Sequence, residues 1–148
     1  MIGWVILRIS SSAMAVNVAP ARFAADVLAE VARSRILGIR AGATHRIIGV
    51  WVVVVSRRIF VRSWSVDPHG WVHAFVEEPH GVMKIGDREI PVRAIRTRSE
   101  RLKSAVDRAY AAKYTTPASQ KYVRGFRAPR RRDATIELVP WTKPRRRP

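Results

Sequence analysis

The ten residues from Arg46 to Val55, RIIGVWVVVV, constrain the fold of this chain more than any other segment. Seven of the ten are isoleucine or valine, whose branched side chains favour extended backbone. A half-buried strand would alternate apolar and polar residues, whereas the second half of this run is apolar throughout. We therefore predict a strand that is buried on both faces and lies at the centre of a sheet.

Shorter segments with strand character surround this run. The segment from Ser56 to Arg58 is short enough for a hairpin turn, so the chain is predicted to return as a partner strand at residues 59–64. Gly86-Asp87 is the predicted turn of a second hairpin. Further strands are predicted at residues 36–40, 81–85, 88–95 and 134–139. Pro91 has no N–H to donate, which places it on an edge strand or at a bulge.

Helical periodicity occurs in several of the connecting segments. Residues 20–33 have apolar positions three and four apart, which predicts an amphipathic helix packed on a core. Thr97 and Glu100 have the spacing of a capping box, so a second helix is predicted to begin there and to run to about Lys113. A shorter helix is predicted at residues 119–126, and another in the aromatic stretch that begins at Trp71.

Strands outnumber long helices and the connections are short, so we expect an α+β protein that is mainly β. The predicted form is an antiparallel barrel or strongly bent sheet with two or three helices outside it. A chain of 148 residues supports one domain, which we assign to residues 17–141. Residues 1–16 are interpreted as a disordered extension, with Met14 as an alternative start, and residues 142–148 as a disordered basic tail.

The sequence argues against secretion and membrane insertion. The apolar run at residues 2–7 is only six residues long and no basic residue precedes it, so it does not resemble a signal peptide. Nothing else approaches the roughly 18 apolar residues that a membrane span needs. The chain has no cysteine, which excludes disulfides and thiolate chemistry and fits a reducing compartment. We therefore expect a cytoplasmic protein with no membrane partner.

The formal net charge of +17 would attract nucleic acid, anionic lipid or phosphate-bearing ligands. Residues 121–148 hold ten Lys and Arg against two Asp and Glu, so about half of the excess lies in the last fifth of the chain. Arginine outnumbers lysine 23 to 5, a bias that a GC-rich genome would produce without functional pressure. A weak, non-specific contact between the basic tail and nucleic acid is therefore one expectation, and a charge without function is the other.

An ordered series of short motifs resembles a bacterial domain-of-unknown-function family, numbered 2255. The resemblance covers roughly two-thirds of the chain and carries no activity. The motifs are Gly49-Val50-Trp51-Val52-Val53, Val61-Arg62-Ser63, Gly70-Trp71, Gly86, the segment from Asp107 to Tyr114, and Ala134-Thr135-Ile136-Glu137-Leu138-Val139-Pro140.

A second, more distant resemblance concerns Trp71-Val72-His73-Ala74-Phe75, followed by Glu78-Pro79 and a hairpin with a glycine turn. This stretch is similar to the tryptophan-rich short helix and following strands of deazaflavin-dependent nitroreductases. Those enzymes share a split β-barrel with the flavin-binding pyridoxamine-phosphate oxidase group. The resemblance therefore implies a split antiparallel β-barrel, a homodimer, and either FMN or the deazaflavin coenzyme as cofactor.

The same resemblance implies a set of cofactor-binding residues. In that architecture the short helix closes one side of a cofactor groove, and the strand ending in Arg62, Ser63 and Trp64 supplies the floor. Arg62 would hold a phosphate through a bidentate pair, and Trp64 and Trp71 would stack on the ring. The basic turn of the nitroreductases is reduced here to His45 and Arg46, which makes Arg46 a further candidate for the phosphate.

His73 is the candidate catalytic residue, because a histidine on the short helix would suit a proton donor. Each of these residues also has a structural interpretation: Arg62 as an outward-facing arginine, the tryptophans as core residues, and His73 as a surface residue. The four histidines have no metal-ligand spacing, so we expect no metal site.

Three functions remain open from the sequence. The first is a flavin- or deazaflavin-dependent reductase of a small organic substrate, in which the cofactor carries the chemistry. The second is a cationic module that contacts nucleic-acid phosphates without reading sequence, through residues 130–132 and 145–147. The third is a barrel without cofactor.

Overall fold

The computed structural model describes residues 22–65, 67 and 69–142. The extension predicted at residues 1–16, and the predicted basic tail beyond Thr142, lie outside these residues. The described helices are α1 (Ala25–Arg33), α2 (Trp71–Glu77), α3 (Glu100–Lys113), α4 (Gln120–Gly125) and α5 (Pro129–Asp133), with a 3-10 turn at Pro117–Ser119. The described strands are β1 (Leu37–Ala41), β2 (Ile48–Val50), β3 (Val52–Val55), β4 (Arg58–Arg62), β5 (His80–Ile85), β6 (Arg88–Arg96) and β7 (Thr135–Pro140).

The strands form one antiparallel sheet in the order β2-β1-β5-β6-β7-β4-β3. The two strands at the ends of this order are neighbours in sequence, with Trp51 alone between them. The sheet therefore curls until its two ends meet in a single segment of chain. This nearly closed barrel with helices around it confirms the predicted α+β split-barrel fold.

The apolar run at residues 46–55 is not one central strand, and that prediction was wrong. The run is divided at Trp51: Val50 pairs with Leu37 of β1, whereas Val52 pairs with Val61 of β4. Each half thus has its own neighbour, which is how the segment joins the two ends of the sheet. Burial on both faces is confirmed where it matters most, because Val52 and Val53 are both buried in different apolar clusters.

Two apolar clusters hold the molecule together. The interior cluster fills the barrel and includes Val31 of α1 and Phe75 of α2. The outer cluster lies between the barrel and helices α3 and α4, and it includes Tyr110, Tyr114 and Phe126. Burial of apolar surface on both sides of the sheet explains why β3 consists of valine alone.

Helix α3 begins two residues later than the predicted capping box requires. Ser99 is the N-cap, and its hydroxyl accepts a hydrogen bond from the Leu102 N–H at 3.3 Å. Thr97 instead continues the sheet, because its N–H donates to the Thr135 carbonyl at 2.9 Å. The Thr97 hydroxyl is buried and has no partner among the described residues. The hydrogen bond to β7 thus takes precedence over the local helix signal.

Pro91 lies on a strand with neighbours on both sides, so its predicted place on an edge was wrong. It pairs with Val82 of β5, and its carbonyl accepts from the Trp141 N–H at 3.2 Å. In an antiparallel strand the N–H and C=O of one residue face the same neighbour. The position where Pro91 lacks an N–H therefore faces β7. The last residue pair between β6 and β7 is Val92 with Pro140, so Pro91 lies just beyond the end of that ladder.

Candidate functional site

Two cavities lie side by side where β4 ends and α2 begins. The larger, which we call the aromatic cavity, has a volume of about 440 Å³. It is lined by Gly49, Val50, Trp51, Arg62, Ser63, Trp64, Ser65, Trp71, Tyr122 and Phe126. Five of these ten residues carry aromatic rings, so the cavity offers flat apolar walls of the kind that planar ligands stack upon.

The second, which we call the cationic cavity, has a volume of about 360 Å³. It is lined by Ile39, Arg40, Ala41, His45, Arg46, Ile48, His69, Gly70, Trp71, Ala74 and Phe75. Two arginines and two histidines face it, and no carboxylate does. This charge distribution favours an anionic group.

Trp71 lines both cavities and therefore connects them. It is the first residue of α2, and its ring meets the buried Phe75 ring edge-on, with centroids 6.3 Å apart. Strand β2 runs past the same place, since Ile48 lines one cavity and Val50 the other. The short aromatic helix thus separates an aromatic compartment from a cationic one.

The structure brings together five of the six residues that the sequence singled out. Arg62, Ser63, Trp64 and Trp71 line the aromatic cavity, and Arg46 lines the cationic cavity. The predicted role in cofactor binding stays a prediction for each of them.

Arg62 has protein partners for most of its donors. Its Nε donates to Thr135 Oγ1 at 2.7 Å, and one terminal nitrogen donates to the Lys103 carbonyl at 2.8 Å. The other terminal nitrogen donates to the Phe126 carbonyl at 3.2 Å and forms an ion pair with Asp107. The side chain is fully buried, so the alternative of an outward-facing arginine was wrong. Its guanidinium joins the barrel to the helices, and this leaves little of the fork for a phosphate.

Asp107 begins the Asp107 to Tyr114 motif and has a second arginine partner. One carboxylate oxygen meets Arg62, and the other accepts from Arg132 Nε at 3.0 Å. Arg132 also contacts Glu100 at 2.9 Å, and this contact raises the pKa of the guanidinium and lowers that of the Glu100 carboxyl. The motif therefore fastens α3 and α5 to the end of β4.

The two tyrosines of the same motif bind the backbone of the barrel. The Tyr110 hydroxyl accepts from the Arg62 N–H at 3.1 Å and donates to the Trp51 carbonyl at 3.2 Å. The Tyr114 hydroxyl accepts from the Val52 N–H at 3.0 Å and donates to the Arg35 carbonyl at 2.7 Å. Burial raises the pKa of both phenols. These bonds satisfy backbone groups at the point where the apolar run bends.

Lys113 contributes to the same joint. Its Nζ donates to the Val52 carbonyl at 2.8 Å and to the Val31 carbonyl at 3.2 Å. Desolvation lowers the pKa of this amine to about 8. Lys113 is the last residue of α3, and these two hydrogen bonds tie that helix to α1 and β3.

Trp64 is held in place from two sides. The Arg131 guanidinium lies 3.7 Å from the centre of the indole ring, and Arg131 Nε donates to the Trp64 carbonyl at 2.8 Å. Gly125 lies against the ring edge so closely that a Cβ there would overlap Trp64. Tyr122 meets the indole edge-on, with centroids 4.9 Å apart. Trp64 is therefore a rigid wall of the aromatic cavity.

His73 lies apart from both cavities. Its side chain is 52% exposed, and Nε2 is 3.1 Å from a carboxylate oxygen of Glu77 one turn further along α2. It is absent from the lining of either cavity, whereas His45 and His69 line the cationic one. The role of proton donor for His73 remains a prediction that its position does not favour.

Sequence reasoning missed the residues that α4 and its C-cap contribute. Tyr122 and Phe126 line the aromatic cavity and meet Trp51 edge-on at 5.8 and 6.1 Å. Their four-residue spacing places both rings on one side of a helix, which was a usable signal. What the spacing could not indicate was that this side faces Trp51 and Trp64.

Arg130, Arg131 and Arg132, which the sequence assigned to a nucleic-acid contact, belong to helix α5. Arg131 and Arg132 are occupied by Trp64, Gly125, Glu100 and Asp107, and Arg130 is exposed. Residues 145–147 lie outside the described part of the chain. Within that part, no helix is long and apolar enough to cross a membrane, and no three His, Asp or Glu side chains are grouped to bind a metal.

The fold has a counterpart among solved structures. The chain is similar to the conserved hypothetical protein Rv2991 from Mycobacterium tuberculosis, with a TM-score of 0.56 and 11% sequence identity over 86% of this chain and 85% of that one. At this identity the likeness concerns the fold alone. No curated protein is significantly similar to the chain in sequence.

A protein family matches most of the chain in sequence. Residues 27–138 match the family described as "Uncharacterized protein conserved in bacteria (DUF2255)". The match includes all seven described strands except the last two residues of β7, and it contains every described residue that lines the two cavities. The chain therefore belongs to the DUF2255 family of uncharacterised bacterial proteins.

Proposed function

We propose that this protein binds a planar aromatic cofactor with a phosphate group, FMN or the deazaflavin coenzyme, and uses it to reduce a small organic substrate. The observation that carries the proposal is the pair of adjoining cavities, one aromatic and one cationic, with Trp71 common to both. A ring joined to a phosphate by a short chain has the same division into an apolar and an anionic part.

The aromatic cavity suits the ring. Trp51, Trp64, Trp71, Tyr122 and Phe126 provide its walls. Trp51 is itself stacked on Tyr114, with ring centroids 4.0 Å apart and 5° between the ring planes, and this contact fixes the orientation of the indole. Because most of the Arg62 donors have protein acceptors, little free charge faces this compartment. An uncharged ring therefore fits it better than a charged one does.

The cationic cavity suits the phosphate. Arg46 is exposed at its rim and has no ion pair among the described residues, so its guanidinium has free donors. His45 lies beside it, and Arg40 is partly occupied by the Gly42 carbonyl at 3.4 Å. We therefore assign the phosphate to Arg46 and His45, and assign to Arg62 the task of holding the cavity floor.

The cofactor would supply the hydride chemistry, and the protein would supply binding and orientation. Trp64 and Trp71 would confine the ring and exclude water from its faces. Ser63 is buried in the floor and donates to the Ser65 carbonyl at 2.6 Å, which fixes the turn after β4. The substrate would enter the part of the aromatic cavity that the ring leaves open.

The proposal is tested by fluorescence titration with FMN, riboflavin and the deazaflavin coenzyme. Riboflavin has the ring of FMN without its phosphate. Its affinity therefore depends on the aromatic cavity alone, whereas the affinity for FMN depends on both cavities. Arg46→Ala should weaken FMN by about tenfold or more, the effect of losing a charge-assisted hydrogen bond, and should leave riboflavin unchanged. Trp71→Ala should weaken both ligands.

Arg93→Ala is the matched control, because Arg93 is an exposed arginine of β6 that lines neither cavity. It should bind all three ligands as the parent does. Equal affinity of the parent for FMN and riboflavin would contradict the phosphate assignment. A parent that binds none of them would overturn the cofactor proposal and leave the barrel without cofactor as the better interpretation.

A further inference from the structure

We propose that a third cavity, lined by residues other than those of the first two, binds an amphipathic carboxylate: a carboxylate group on a short apolar chain. This arginine-rimmed cavity has a volume of about 390 Å³. It is lined by Arg22, Phe23, Arg57, Arg58, Ile95, Glu137, Leu138, Val139 and Pro140. None of these residues lines the aromatic or the cationic cavity, so the proposal is independent of the cofactor.

Part of the lining of this cavity is apolar. Phe23 is half-buried and packs against the interior cluster. Ile95 keeps 38% of its surface exposed on the outer face of β6. An apolar chain lying over these residues would remove that surface from water.

The charges around the cavity favour a single anion. Arg58 and Glu137 neutralise each other through two hydrogen bonds, at 2.9 and 2.6 Å, and Glu137 raises the pKa of Arg58. Arg22 and Arg57 are exposed and have no ion pair among the described residues. The lining thus has two unpaired guanidinium groups and no unpaired carboxylate. Guanidinium groups bind carboxylates well because their paired N–H donors match the two oxygens.

The backbone at Arg57 gives an independent reason to expect a role for its side chain. Ser56 and Arg57 form the turn between β3 and β4, with φ of 50° and 63°. Two-residue hairpin turns of this kind favour Asn-Gly, because a side chain is disfavoured in the left-handed region. Arginine is therefore the less stable choice at this position. Binding of an anion by the guanidinium would offset that cost.

The test is calorimetric titration of the full-length protein with octanoate, octyl phosphate, octanol and octylamine. Octanoate should bind, octanol should bind at least tenfold more weakly, and octylamine should not bind. Octyl phosphate tests whether the site accepts another anion. If it binds more tightly than octanoate, the assignment to a carboxylate is wrong; if octanol matches octanoate, the arginines do not contribute and the proposal fails.

Variants at Arg57 separate binding from stability. Arg57→Gly relieves the backbone and removes the guanidinium, so the melting temperature should rise by a few degrees while octanoate affinity falls at least tenfold. Arg57→Lys should recover part of the affinity. Arg98→Gly, which removes an exposed arginine from a loop outside the cavity, should leave octanoate binding unchanged. Unchanged octanoate affinity in Arg57→Gly would overturn the proposal, whatever the protein does with FMN.

Discussion

Arg62 and Asp107 form a buried ion pair that joins the end of β4 to helix α3, across 45 residues of sequence. The arginine side chain is completely buried, and the aspartate is 14% exposed. Charges in such a position need every available partner, and Arg62 has four acceptors within the protein. The pair is thus a joint between the barrel and its outer helices.

Replacing Arg62 with alanine should destabilise the fold before it affects any ligand. The substitution leaves Asp107 without its buried partner and removes the arginine donors to the Lys103 and Phe126 carbonyls. We expect the free energy of unfolding to fall by about 3–5 kcal/mol in urea denaturation. Arg98→Ala, an exposed arginine in a loop, should change it by less than about 0.5 kcal/mol. A folded Arg62→Ala variant of unchanged stability would contradict the structural role.

The Tyr114 hydroxyl should contribute to the free energy of unfolding separately from the aromatic ring that carries it. Tyr114→Phe keeps the stack on Trp51 but leaves the buried Val52 N–H without that acceptor. An unsatisfied buried donor costs about 1–3 kcal/mol, which denaturant unfolding would detect. Tyr122→Phe is the control, because Tyr122 is 39% exposed and its hydroxyl has no described hydrogen bond. Equal losses in the two variants would count against the assignment.

Lys113 should make the stability depend on pH in the alkaline range. Its pKa in the folded protein is about 8, below its ordinary value of 10.5, so between these values the unfolded state binds more protons. The free energy of unfolding should therefore rise with pH from about 8 to 10.5. Other groups titrate there too, so the quantity to measure is the difference between the parent and Lys113→Met. A flat difference across this range would show that the amine is not desolvated.

Gly125→Ala should displace Trp64. A Cβ at this position overlaps the indole ring, and the ring is held on its face by Arg131. Overpacking of this kind costs about 1–3 kcal/mol. We expect that loss together with a changed near-UV circular dichroism signal from the tryptophans.

Ala112→Ser is the control for the displacement of Trp64. Ala112 is an exposed residue of α3 that lines neither cavity, so this variant should keep the near-UV spectrum of the parent. An unchanged near-UV spectrum in Gly125→Ala would mean that Trp64 adjusts freely and is not a rigid wall.

Much of the fold follows from local sequence patterns. The hairpin at Gly86, the short helix at Trp71 and the long helix ending at Lys113 depend on residues within a few positions of one another, and each prediction was confirmed. The errors arose where a distant strand competed with a local signal. Thr97 was predicted to cap a helix, but the Thr135 carbonyl binds its N–H.

The sequence by itself determined the local elements of the site. These are an apolar segment with a tryptophan at its middle, an aromatic short helix, and basic residues at the turn that precedes the apolar segment. Only the tertiary structure decided what they form. Closure of the barrel at Trp51 brings residues 46, 71 and 126 to adjoining cavities, and the acceptors on α3 direct the Arg62 donors into the protein. These outcomes depend on contacts between residues dozens of positions apart, which local periodicity does not encode because it reports only the face on which each side chain lies.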